Sequence, residues 1–137
     1  MRDRVRRGVR GVVVAALLAG TAGCVAAVAA AAGAGAGAGV YLTTRGASSL
    51  VDGSLDAVAE RTLAAFRETG VQRTATETQE DGSGRTYRGF AEGMEVSVEL
   101  ARDGDAVTRV TVHARRSTVE WDREYARRLL QRIVTRG

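Results

Sequence analysis

No charged residue lies between Arg10 and Arg45, a gap of 34 positions in a chain of 137. A stretch like this has no charged face to turn to water, so a globular fold has to be built from the residues beyond it. That leaves roughly 90 residues, near the low end for one self-sufficient core. The core must be mostly Val, Leu and Ala, because the whole chain holds two Phe, three Tyr and one Trp.

The segment ahead of the fold has its own order. Arg2, Arg4, Arg6, Arg7 and Arg10 precede the apolar run GVVVAALLA at 11–19, and the small residues Gly20-Thr21-Ala22-Gly23 lead to Cys24. Charge, then a short apolar run, then small residues is the layout of a secretory leader. Small residues ahead of a cysteine resemble the lipobox read by lipoprotein signal peptidase, with Thr21 where Leu is usual. The resemblance implies cleavage after Gly23, lipid on Cys24, and a mature chain in the cell envelope. It would face the periplasm, at the outer membrane if the cell has one. The competing reading is a retained span, since about 20 apolar residues cross a bilayer. The second half of the gap, VAAVAAAAGAGAGAG at 25–39, is only weakly apolar and reads as a linker. The expected organisation is thus a leader at 1–23, an Ala/Gly-rich linker at 24–40 and a folded domain at 41–137.

Charge narrows the function classes. The five leader arginines against Asp3 account for the whole formal charge of +4, so from Cys24 onward the chain is neutral. The high isoelectric point belongs to the leader and gives no ground for nucleic-acid binding. All 20 basic residues are Arg. Without a lysine amine there is no Schiff-base chemistry and no P-loop. No cofactor motif or zinc spacing is present. Glu95 and Glu99 share a strand face about 13 Å apart at strand rise, beyond the roughly 5–9.5 Å of glycosidase carboxyl pairs. His113, the one histidine, is read as a cross-strand partner on a polar face, and no catalytic residue is assigned.

The domain itself reads as β-α-β-β-β-β-α. Residues 41–51 read as one edge strand. Asp52-Gly53-Ser54 supplies a turn and a helix cap. Leu55, Val58, Ala59, Thr62, Leu63 and Phe66 then repeat at helical spacing, and Gly70 suits a left-handed stop. Next come strands at 71–79 and 85–91, a two-residue hairpin at Glu92-Gly93, and a strand in which Met94, Val96, Val98 and Leu100 alternate with polar residues. The last strand is 106–115. Face parity pairs Tyr87 with Val98 across the first hairpin. With a three-residue loop at 103–105 it pairs Val98 with Val110, Val96 with Val112, Glu99 with Arg109 and Glu95 with His113. A closing helix is expected from Ser117, where Ser117 and Glu120 form a capping box. Its apolar face would hold Trp121, Tyr125, Ala126, Leu129, Leu130, Ile133 and Val134. The fold class expected is α+β, an antiparallel-rich sheet of about five strands with both helices on one face.

Cys24, the GAGAGAGVYL run to Leu42, the helix from Leu55, MEVSVEL, VTRVTV and LLQRIV together resemble a family of small bacterial lipoproteins grouped as a domain of unknown function. The resemblance implies lipid attachment at Cys24 and no assigned activity. The expected role is a non-catalytic, membrane-anchored interaction or scaffold module. The alternative is a small carrier for an apolar ligand or lipid, with Tyr87, Trp121 and Tyr125 lining a groove between helix and sheet. Residues 115–137 carry seven Arg against three acids. Arg127, Arg128, Arg132 and Arg136 are therefore the candidate contacts to an anionic lipid surface or an acidic envelope protein.

Ala-Gly repeats offer no large side chain to bury. A chain beginning at Val40 is therefore expected to melt within a few degrees of one beginning at Val25, as calorimetry would show; a large loss would move the domain boundary into the linker.

Overall fold

A computed structural model describes residues 39–137 of the chain. The leader at 1–23, Cys24 and all but the end of the linker lie outside the described residues. The elements in chain order are β1 (Tyr41–Leu42), β2 (Gly46–Asp52), α1 (Leu55–Thr69), β3 (Gln72–Thr78), β4 (Gly84–Ala91), β5 (Met94–Arg102), β6 (Val107–Arg115) and α2 (Arg123–Val134). The six strands form one antiparallel sheet in the order β1-β2-β6-β5-β4-β3. The α+β class therefore holds, with six strands where about five were expected. The extra strand comes from 41–51, which is two strands rather than one. The Thr43 N–H bonds the Gly46 carbonyl at 2.9 Å and turns β1 back along β2. β2 is consequently an inner strand, paired with β6 from Gly46↔His113 to Asp52↔Val107. Only glycine fits at that first pair, because a Cβ on Gly46 would lie 1.9 Å from the Val112 carbonyl oxygen.

The β4–β5 hairpin has the expected pairs Ala91↔Met94, Gly89↔Val96 and Tyr87↔Val98. Its turn places Glu92 and Gly93 at φ 51 and 75, the doubly positive geometry of a tight two-residue hairpin. The β5–β6 register differs from the expected one by two residues. Val98 faces Val112, Val96 faces Ala114 and Leu100 faces Val110. The loop is longer than three residues and is closed by the Asp103 N–H on the Val107 carbonyl at 2.9 Å. A shift of two preserves which face is buried but changes every polar pair. Glu95 therefore meets Arg115, Ser97 meets His113 and Glu99 meets Thr111.

Both helices cover one face. Val96, Val98, Val110, Val112, Ala114, Leu130 and Ile133 have no solvent exposure, and Phe66 retains 2 %. Ser54 caps α1 by accepting from the Ala57 N–H, and Gly70 at φ 71 ends it as expected. Thr62 sits in this core with its hydroxyl bonded back to the Val58 carbonyl at 2.9 Å. Both sheet edges are blunted. β1 is two residues long, and β3, exposed at every position, carries a register shift between Arg73 and Ala75. Short or bulged edge strands are poor templates for pairing with another chain.

α2 starts later than expected. The Glu120 N–H does bond Ser117 Oγ at 3.2 Å, but it closes a turn rather than a helix. The cap is Asp122, which accepts from the Tyr125 N–H at 2.8 Å. Trp121 thus lies before the helix and outside the core, which corrects its assignment to the apolar face. Tyr87 and Tyr125 are buried, at 3 % and 6 % exposure, and form part of the core, with Tyr125 also reaching the wall of a cleft beside Glu68 and Leu129.

Phe66→Ala is therefore expected to cost about 3–5 kcal/mol, as for a buried aromatic. Trp121→Ala should cost clearly less and leave a cooperative transition. Urea melts of the two variants test the assignment, and equal losses would return Trp121 to the core.

Candidate functional site on the open sheet face

Paired residues share a face, so the register arranges the uncovered side of the sheet in rows across the strands. One row reads Gly46, His113, Ser97 and Arg88 from β2 to β4. The next contains Arg115, Glu95 and Phe90. β5 occupies one edge of Arg115 through Glu95. The other edge lies beyond the end of β2 and is taken by Trp121, which makes an antiparallel bridge to Arg115. The second row thus begins with the indole.

Three contacts hold Trp121 there. The Arg116 N–H bonds the Glu120 carbonyl at 3.0 Å, and the Asp122 N–H bonds the Ala114 carbonyl at 2.8 Å. The Arg116 guanidinium donates to the Asp122 carboxylate at 2.8 Å. The indole packs edge-on to His113, with ring centroids 5.9 Å apart at 68°. The guanidinium carbons of Arg45 and Arg115 lie 5.6 and 5.9 Å from its centroid, within cation–π range.

Between the two rows is a cleft of about 220 Å³ lined by Arg88, Glu95, Ser97, His113, Arg115 and Trp121. Its two sides differ in hydrogen-bonding state. Arg115 and Glu95 form an ion pair through one guanidinium nitrogen and one carboxylate oxygen. In the other row, His113 Nδ1 is buried without a hydrogen-bond partner among the described residues. Its Nε2 is 4.0 Å from Glu99 Oε1. Arg88 reaches only Glu77, at 3.6 Å, and Ser97 Oγ makes no hydrogen bond among the described residues.

The four arginines singled out for an anionic surface do not form one patch. Arg127 pairs with Glu124 and Arg136 with Glu68. Arg128 lies over the Tyr125 ring at 5.8 Å. Arg128 and Arg132 border a cleft that also contains Glu68 and Glu92. Each helical residue turns about 100°, so Arg127 projects about 140° away from Arg132. His113 lies on the polar face as expected, opposite Ser97 rather than Glu95. The Ser97–His113–Arg88 row escapes sequence reasoning because its composition depends on the β5–β6 loop length. Among the described residues no group of His, Cys, Asp and Glu is placed to hold a metal ion, and no helix is long and apolar enough to cross a membrane.

The Tyr125 N–H bond and the Arg116 guanidinium hold the Asp122 carboxyl below its ordinary value of 3.8. A carboxylate whose pKa is lower in the folded than in the unfolded chain contributes its full stabilisation above the unfolded value and loses it as pH falls through the folded one. Asn retains the capping oxygen but not the charge. Asp122→Asn should thus be less stable than wild type near pH 7, with the gap closing as pH drops below about 3.8. Denaturant melts across this range test it, and a gap independent of pH would refute the pairing.

No protein of curated function matches the chain. A family profile does match, over residues 10–136, and so takes in Cys24 as well as the fold; on that match the chain belongs to the protein family of unknown function DUF3568.

Proposed function

We propose that the chain is a bacterial lipoprotein, anchored in the cell envelope through lipid on Cys24, whose small α+β domain acts as a non-catalytic interaction module. The observation that carries this reading is the order of the leader: five arginines, the apolar run 11–19, then Ala22-Gly23-Cys24. The domain supports the module role by its one-sided burial. The layer between helices and sheet is filled by side chains such as Val98, Leu129 and Ile133, while the opposite sheet face is left to polar and aromatic groups. A filled layer favours a module over a carrier that would hold an apolar ligand beneath the helices.

Mass spectrometry of the membrane-extracted protein is expected to find an N-terminal acylated Cys24, and Cys24→Ser should abolish the modification. An intact Met1 or a free Cys24 thiol on the mature protein would overturn the reading. Acylation by more than one chain makes an anchor effectively permanent, so the arginines of α2 are not needed to reach the membrane. If Arg127, Arg128, Arg132 and Arg136 orient the domain, the chain lacking its lipid should float with anionic but not neutral vesicles and lose this on Arg→Gln changes. With two of the four paired to acids, the attraction should be weak and disappear at physiological salt.

A further inference from the structure

We propose that the cleft between the His113 and Trp121 rows is a binding site for a small monocarboxylate bearing a flat apolar group. This goes beyond the envelope reading and does not depend on how the chain is anchored.

The groups left unsatisfied on this face point to the ligand's chemistry. The Trp121 row is internally neutral, because Arg115 and Glu95 pair with each other. The facing row offers His113, Ser97 and Arg88 from three adjacent strands. Arg88 and His113 have only long ion-pair contacts, to Glu77 at 3.6 Å and to Glu99 at 4.0 Å, and none of the three donates a side-chain hydrogen bond to the described residues. Nδ1 of His113 is buried and unpartnered, Ser97 Oγ is unbonded, and the Arg88 contact at 3.6 Å is too long for a hydrogen bond. Arg88 and Ser97 thus present a guanidinium fork and a hydroxyl to the cleft, beside the His113 ring. That set is rich in donors and carries positive charge, which suits the planar, two-oxygen acceptor of a carboxylate.

Size and lining specify the rest of the ligand. A volume of about 220 Å³ is roughly seven times a water's share of the liquid, enough for an acid of modest size. Trp121 bounds one end of the second row, and Phe90, 54 % exposed, stands in the same row beyond Glu95. The Trp121 indole, which lines the cleft, would pack against a flat group once the carboxylate is held. Ser97 is smaller than His113 and Arg88 on either side of it, so the floor dips where the acid would enter.

The test is an NMR titration of the full chain with benzoate, its neutral analogue benzamide, and inorganic phosphate, read at the Trp121 indole N–H and the His113 ring. Benzoate should shift both signals saturably, with a Kd of about 1 mM or tighter, and benzamide should bind at least ~10-fold more weakly. Arg88→Gln and Ser97→Ala lie on the surface and should keep the melting transition; Arg88→Gln should weaken benzoate ~10-fold. Arg109→Gln, on the same face but paired with Asp103 away from the cleft, should leave binding unchanged. Three results would overturn the proposal: no saturable shift up to ~20 mM benzoate, benzamide or phosphate binding as well as benzoate, or Arg88→Gln binding like wild type.

Discussion

The interior of this domain depends on one pairing, the antiparallel contact of β5 with β6. Val96, Val98 and Leu100 lie against Ala114, Val112 and Val110, all nearly or completely without solvent exposure. Side chains alternate along a strand, so committing these residues to one face commits Glu95, Ser97, Glu99, Thr111, His113 and Arg115 to the other. A slip of one residue would invert both sets and is strongly excluded. Both helices must then pack on the same side, and the polar side remains open. The site on that face is a by-product of the way the core is made.

Much of this is legible from residue patterns, where a single local interaction decides the outcome. The Ser54 cap, the Gly70 stop and the Glu92-Gly93 turn each depend on neighbours within a few positions, and each stands where expected. The faces of β5 and β6 are also legible, since a period of two distinguishes buried from exposed. Shifts of two residues are not. A three-residue loop pairs Glu99 with Arg109, and the observed loop pairs Glu95 with Arg115; both give apolar pairs on one side and an ion pair on the other. Nothing local separates them, so the partner of His113 differs from the expected one. β3 is ambiguous for a different reason: every residue from Gln72 to Thr78 is exposed, so neither face carries a burial signal.

The position of Trp121 illustrates competition between two helix starts. Ser117 and Asp122 both have capping oxygens, and both are used. Only the bridge from Trp121 to Arg115, a contact made through the sheet, assigns the first to a turn and the second to the helix. The basic end of the chain shows the same limit. Counting charges along the sequence separates a basic C-terminal element from an acidic remainder, yet folding joins Arg136 to Glu68 and Arg116 to Asp122. Exposed pairs of this kind are worth about 0–1 kcal/mol each, but they remove much of the bare positive face that the count suggests. The DUF3568 match spans both the Cys24 segment and the domain.

The claim on which the rest stands is that the sheet buries one face and keeps the other, with Trp121, for use. The chain has a single tryptophan, so its intrinsic fluorescence reports on that residue alone. In the native protein the indole should emit as a partly solvated ring and be quenched by acrylamide to an intermediate degree, rising further on unfolding in urea. A native emission that is blue-shifted and resistant to quenching until the protein unfolds would place Trp121 in the core and contradict this account.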